Sequence, residues 1–270
     1  MEISNITKKR IQDFLKENKR FDNRGLLDFR KIEIETGISK NAEGSCRVKF
    51  GDTEVVAGVK MDVTEPYTDH EDEGTLITSC ELLPLSSPNF ESGPPRINAI
   101  EIARVVDRGI RESGFIDFKK LCIKEGEKVY GIFVDIYSMN DAGNLIDASC
   151  LASVIALLTA KMPKYDTKTE KVKYGEFTTK ELPLTNKVPL TFTFHKSDGK
   201  IFIDPISEEE ETSEARLTMA ITNDKEILIN AVQKGNEETF TQEELEKIID
   251  LAVEKFKELE KIVNKIVGKK

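Results

Sequence analysis

The stretch Gly44-Ser45-Cys46-Arg47-Val48-Lys49-Phe50-Gly51-Asp52-Thr53 carries the clearest fold signal in the chain. Cys46, Val48 and Phe50 alternate with Arg47 and Lys49, the period of a strand with one dry face. Gly51-Asp52 interrupts the run, and the apolar stretch 55–59 follows. Two strand-like runs around a short Gly-containing turn predict a β-hairpin.

Outward from this hairpin, the sequence alternates between sheet and helix signals. On its N-terminal side, residues 4–19 place Ile6, Ile11, Phe14 and Leu15 at helical spacing, with Ser4 as a cap, and 31–35 alternates as a strand. On its C-terminal side, 61–74 is polar and acidic and reads as a mobile loop, and 75–83 as a strand. Residues 87–95 are rich in Ser, Gly and Pro and form a loop, and 97–112 has helical periodicity. The run 129–137 is apolar on both faces, which predicts a central strand. Helix 146–161 is apolar nearly all round and is expected to be buried. Residues 163–187 are polar and lysine-rich and read as a linker between halves 1–162 and 188–270. Strands at 189–194, 201–204, 216–222 and 226–232 follow, then a long helix opened by the capping box Thr241/Glu244. Strands, helices, strands and a helix in that order make an α+β protein of two β-α halves.

Composition excludes several function classes. The 270 residues are 39% hydrophobic and 33% charged, enough apolar content for one large domain or two small ones and too much for a disordered chain. No apolar run approaches the roughly 20 residues that cross a bilayer, and residues 1–10 lack a secretory core, so a soluble cytoplasmic protein without a membrane partner is expected. Cys46, Cys80, Cys122 and Cys150 are widely spaced, which predicts reduced thiols, and His70 and His195 are the only histidines, which argues against a metal site. A net charge of −9 argues against blanket nucleic-acid binding and leaves room for a local basic patch.

Such a patch is present in helix 97–112. Of ten arginines, Arg104, Arg108 and Arg111 fall within eight residues, on a stripe of roughly 60° at about 100° per residue. Ile102, Val105, Val106 and Ile110 face the other way. The guanidinium groups stand roughly 5–6 Å apart, a spacing suited to successive phosphates of a single strand. The same spacing also sets Glu101 against Arg104, Asp107 against Arg111 and Arg108 against Glu112, so an ion-paired solvated face is the commoner outcome of such a pattern. The acidic segment Asp204 to Glu214, with Glu208-Glu209-Glu210-Glu211 at its centre, fits either a divalent-cation site or a solvated charge run between strands.

Taken together, the chain resembles the ribonuclease PH family. The resemblance is carried by Arg20-Phe21-Asp22-Asn23-Arg24-Gly25, by the hairpin at 44–53, by Glu101-Ile102-Ala103-Arg104-Val105-Val106-Asp107-Arg108 and by Asp141-Ala142-Gly143-Asn144-Leu145-Ile146-Asp147-Ala148. It runs over nearly the whole chain and leans to the branch of non-catalytic ring subunits of the archaeal exosome. It implies two pseudo-symmetric halves of the ribosomal-protein-S5-domain-2 type. It also implies a hexameric ring of three heterodimers with a catalytic sister subunit, RNA-binding cap subunits, and phosphorolysis of single-stranded RNA from its 3′ end.

The resemblance further implies that this chain has no catalytic residues and binds no cofactor, inorganic phosphate and an optional magnesium belonging to the sister. Catalytic members carry a Gly-Gly-Thr/Ser-Arg phosphate loop where this sequence has Ala142-Gly143-Asn144-Leu145. Two catalytic aspartates, aligned from Asp204, fall at Glu210 and Arg216. Two arginines of the helix are expected to line the RNA path, which fits Arg104 and Arg108, with Arg111 a third candidate on the same stripe and Glu101 or Glu112 helping to hold the side chains. Two competing readings remain open at this stage. One is an active phosphate-dependent exoribonuclease using the acids at 204–214, and the other is a metal-dependent hydrolase built on the same cluster.

Overall fold

The computed structural model describes residues 3–224 and 226–268. Among them, the helices are α1 (Asn5–Lys16), α2 (Ile97–Arg111), α3 (Leu145–Leu158), α4 (Ser207–Glu211) and α5 (Gln242–Val267). The strands are β1 (Ile32–Thr36), β2 (Gly44–Phe50), β3 (Thr53–Thr64), β4 (Thr75–Leu82), β5 (Cys122–Lys124), β6 (Lys128–Asn140), β7 (Lys161–Asp166), β8 (Lys171–Glu181), β9 (Leu190–Ser197), β10 (Lys200–Ile203), β11 (Ala215–Asn223) and β12 (Ile227–Gly235).

The hairpin forms as the alternation requires. β2 pairs with β3 in a register that sets Phe50 opposite Thr53, and Gly51 takes the positive φ of the two-residue loop. β3 runs on through Met61 to Thr64 alongside β6, so the expected loop at 61–74 begins four residues later. Met61 is buried, and its burial keeps the strand going beyond the apolar run. β4 lies parallel to β6, with α2 in the crossover, giving the order β1-β2-β3-β6-β4. β6 is central, as expected, but only one face is sealed. Ile132, Val134 and Ile136 are buried, whereas Phe133 and Tyr137 on the other face are half-buried.

The second sheet has the order β10-β9-β11-β12, with α5 packed on β9 and β11. Both sheets share one continuous core, and α3 is the reason: its residues from Ile146 to Leu157 are buried between β2 and β3 on one side and β9 on the other. Asp147, in the first turn of α3, accepts from the Thr193 N–H (3.0 Å) and hydroxyl (2.7 Å) of β9. Burial pushes its pKa up to about 7 against the pull of those donors. α5 opens with the expected capping box, Glu244 N–H to Thr241 Oγ1 at 3.2 Å and Thr241 N–H to Glu244 Oε2 at 2.8 Å.

Two segments depart from the sequence reading. The lysine-rich stretch 163–187 is an antiparallel hairpin, β7 with β8, over most of its length. Its lysines point outward while Val172 is buried and Tyr165 meets Tyr130 edge-on, so composition concealed a strand pair with one packed face. The first helix, in turn, sits on the C-terminal half: Ile11 and Leu15 close over Phe202 of β10, and Ile6 is exposed. Among the described residues no helix is long and apolar enough to cross a membrane.

Candidate nucleic-acid interface

Helix α2 buries Ile102, Val105, Val106 and Ile110 and exposes Arg104, Arg108 and Arg111. The three arginines line a groove of about 980 Å³ between α2, the end of β4 and Gln233 of β12, with Tyr67 and Ile100 on its walls. Their partners differ from those that helix spacing suggests. Asp107 pairs with Arg111 at 2.6 Å, as expected. Arg108 donates instead to Gln233 Oε1 at 2.9 Å. Glu101 is ion-paired with Arg216 of β11, and it also accepts from Gln233 Nε2 at 3.4 Å. Among the described residues Arg104 has no ion-pair or hydrogen-bond partner. The expectation that Glu101 or Glu112 steadies the row is therefore corrected: β11 and β12 lie over the helix and offer Glu101 a better-shielded partner. Nothing in the sequence signalled Gln233 or Tyr67, because both arrive from other strands or loops.

The acidic segment is not a solvated run. Asp204 is fully buried and receives Arg30 at both carboxylate oxygens, Arg24 at Oδ2 and Asn144 Nδ2 at Oδ1. Burial opposes its charge, but the Arg30 hydrogen bonds and charge win, and its pKa lies below the usual carboxylate range. Glu209, also buried, forms a two-pronged pair with Arg20, whose remaining N–H groups donate to the Ile203 and Asp204 carbonyls at 2.8 Å. These arginines of the first half thus fasten the turn after β10. Arg20 and Arg24 belong to the motif at 20–25, but neither their spacing nor that of Arg30 signals these partners, which lie more than 170 residues on. Among the described residues no three His, Cys, Asp or Glu side chains gather as a metal-binding set.

Glu210 has a further partner. Its carboxylate accepts the Asn144 N–H at 3.0 Å, at the first turn of α3. Asn144 is left-handed (φ 59°), and Gly143 beside it stands so close to the chain at Pro205 that a Cβ would come within 2.5 Å of the carbonyl. Thr53, from the hairpin turn, donates to the Gly143 carbonyl at 2.6 Å, and Arg30 donates to the same oxygen at 3.0 Å. Glu210 and Arg216 line one cleft of about 320 Å³ together with Glu101, Asp141 and Glu211. Burial raises the pKa of both Glu210 and Asp141. A helix N-terminus that would attract an anion is thus already met by the protein's own carboxylate, in a cleft with four acids and one arginine.

Two family models match in succession, the 3′ exoribonuclease family domain 1 over residues 28–163 and domain 2 over residues 187–255. The chain belongs to the 3′ exoribonuclease family, that of ribonuclease PH. Among its relatives, the exosome complex component Rrp42 of Methanosarcina acetivorans is 45% identical over 258 residues, covering 95% of this chain and 93% of the relative. That of Thermococcus gammatolerans is 45% identical over 269 residues, covering 98% and 97%. Among solved structures, a chain of the Archaeoglobus fulgidus exosome with RNA bound to the active site superposes with a TM-score of 0.86 at 39% identity, covering 95% of this chain and 97% of that one. The ribonuclease PH fold expected from the hairpin, the arginine helix and the turn before α3 is the fold observed.

Proposed function

We propose that this chain is the non-catalytic, RNA-positioning and ring-scaffolding subunit of an archaeal exosome. In this reading it forms a hexameric ring of three heterodimers with a catalytic ribonuclease PH-type sister, capped by RNA-binding subunits. The sister supplies the chemistry in the cytoplasm: inorganic phosphate attacks the 3′-terminal phosphodiester of single-stranded RNA and releases a nucleoside diphosphate, with any magnesium held there. Kinship with exosome components at about 45% identity supports the assembly.

The observation that carries the non-catalytic reading is Glu210 seated on the Asn144 N–H. An incoming phosphate dianion would meet a carboxylate where it needs donors, and Arg216 stands where the resemblance expects an acid. The competing reading, an active exoribonuclease using the 204–214 acids, needs those acids free. Asp204 and Glu209 are instead buried and bound to arginines.

The test is nucleoside diphosphate release from single-stranded RNA in phosphate buffer, by this chain alone and after addition of the sister. Release only with the sister is expected. Release by the chain alone would overturn the reading.

A further inference from the structure

Arg104 has two acids within helical reach, Glu101 three residues before it and Asp107 three residues after. Both are engaged elsewhere, Asp107 by Arg111 and Glu101 by Arg216. The capture of Glu101 is built into the second sheet. Arg216 sits opposite Gly235 in the register of β11 and β12. A Cβ at position 235 would come within 2.5 Å of the Arg216 guanidinium, so the bare glycine is what lets that group lie over β12. From there it reaches Glu101, with only 14% of its side chain exposed. Gln233, two residues before Gly235, completes the arrangement by donating to Glu101 and accepting from Arg108.

We propose that Arg216 is a positioning residue for RNA binding: by holding Glu101, while Arg111 holds Asp107, it leaves Arg104 unpaired, so that this arginine meets phosphate with its charge intact. The inference rests on reading that row as the RNA contact, and it gives a role to a base that stands where the resemblance expects a catalytic acid. Without Arg216, Glu101 is free to swing to Arg104 and compete with the RNA backbone. Glu101 lines both the acidic cleft and the arginine groove, so the two are coupled through this one carboxylate.

The experiment uses the ring assembled from this chain and its catalytic sister, and a short single-stranded oligonucleotide read by fluorescence anisotropy over a series of salt concentrations. Arg104→Ala establishes whether the row contacts RNA. Arg216→Met keeps the apolar stem and removes the charge. It is expected to weaken binding about 1.5- to twofold, the competition set by an intrahelical ion pair. The salt slope should fall by about 0.7, one phosphate contact on a single strand. Gly235→Ala, which displaces the guanidinium from its seat, should act in the same direction. Glu101→Gln added to either variant should restore affinity and slope, a rescue that a purely structural role for Arg216 would not produce. If Arg104→Ala binds RNA like the parent, the reading of the row fails and this inference falls with it. If Arg104→Ala is impaired while Arg216→Met is not, or if Glu101→Gln does not rescue, the inference alone is overturned. Should Arg216→Met fail to assemble, the Gly235→Ala and Gly235→Ala/Glu101→Gln pair makes the same comparison.

Discussion

Glu209 and Arg20 form a fully buried ion pair across 189 residues of chain, with Arg20 Nε 3.0 Å from Glu209 Oε1. The guanidinium also lies 5.8 Å from the centre of the Phe202 ring, which stacks with the imidazole of His195. The pair fixes the turn after β10 and thereby presents Glu210 to α3.

Breaking that pair from one side should be costly. Arg20→Met leaves the buried Glu209 carboxylate without a counter-charge, held only by the Ile206 N–H at 3.0 Å, for a loss of about 3–5 kcal/mol in chemical denaturation. Arg20→Met with Glu209→Leu should recover part of the loss, because no charge then remains buried. A single variant within about 0.5 kcal/mol of the parent would contradict the latch, since that is the scale of an ordinary surface change.

The arginine row should be read out by salt. Arg104→Ala with Arg108→Ala in the assembled ring is expected to weaken single-stranded RNA binding and to lower the salt slope by about 1.4, two phosphate contacts. Arg111→Ala should matter less, because Asp107 already meets its charge at 2.6 Å. An unchanged affinity and slope in the double variant would remove the row from the RNA path.

His195 should make the fold acid-sensitive. It is fully buried, its Nδ1 lies 3.0 Å from Ser213 Oγ, and its Nε2 has no hydrogen-bond partner among the described residues. Burial, with the nearby charge of Arg216, pushes its pKa down to about 3. The native state therefore holds it neutral while the unfolded chain protonates below about 6.5. Its contribution is full above pH ~6.5 and is lost as pH falls toward ~3, on the order of a few kcal/mol in all. His195→Phe should flatten the pH dependence of unfolding in that window. An identical slope in parent and variant would refute the assignment.

Gly143→Ala should loosen the turn that Glu210 caps. Gly143 has φ +90° and no room for a Cβ at Pro205. A methyl there strains the backbone and pushes the segment before α4 away, at a cost of about 1–3 kcal/mol. A melting temperature equal to the parent's would show that the close approach is not needed.

Much of this was legible in local pattern. The alternation at 44–59 marked the hairpin, the helix apolar nearly all round marked α3, and Thr241 with Glu244 marked the start of α5, because each signal lies within a few residues. The exposed stripe of Arg104, Arg108 and Arg111 was legible for the same reason. The β7–β8 hairpin is not legible in local pattern because lysines and other polar residues interleave with the apolar residues of its packed face.

By itself, then, the sequence determined most of the helix and strand segments, which face of α2 is dry, and that three arginines share the wet one. It did so because periodicity and capping are properties of neighbouring residues. Only the tertiary structure decided how the charges are spent. Glu101 goes to Arg216 and not to Arg104, Glu209 to Arg20, Asp204 to Arg30, and Glu210 to the Asn144 N–H. An ion pair depends on distance and burial, and both are set by how two sheets close over α3, so residues far apart in the chain prevail over those three positions away.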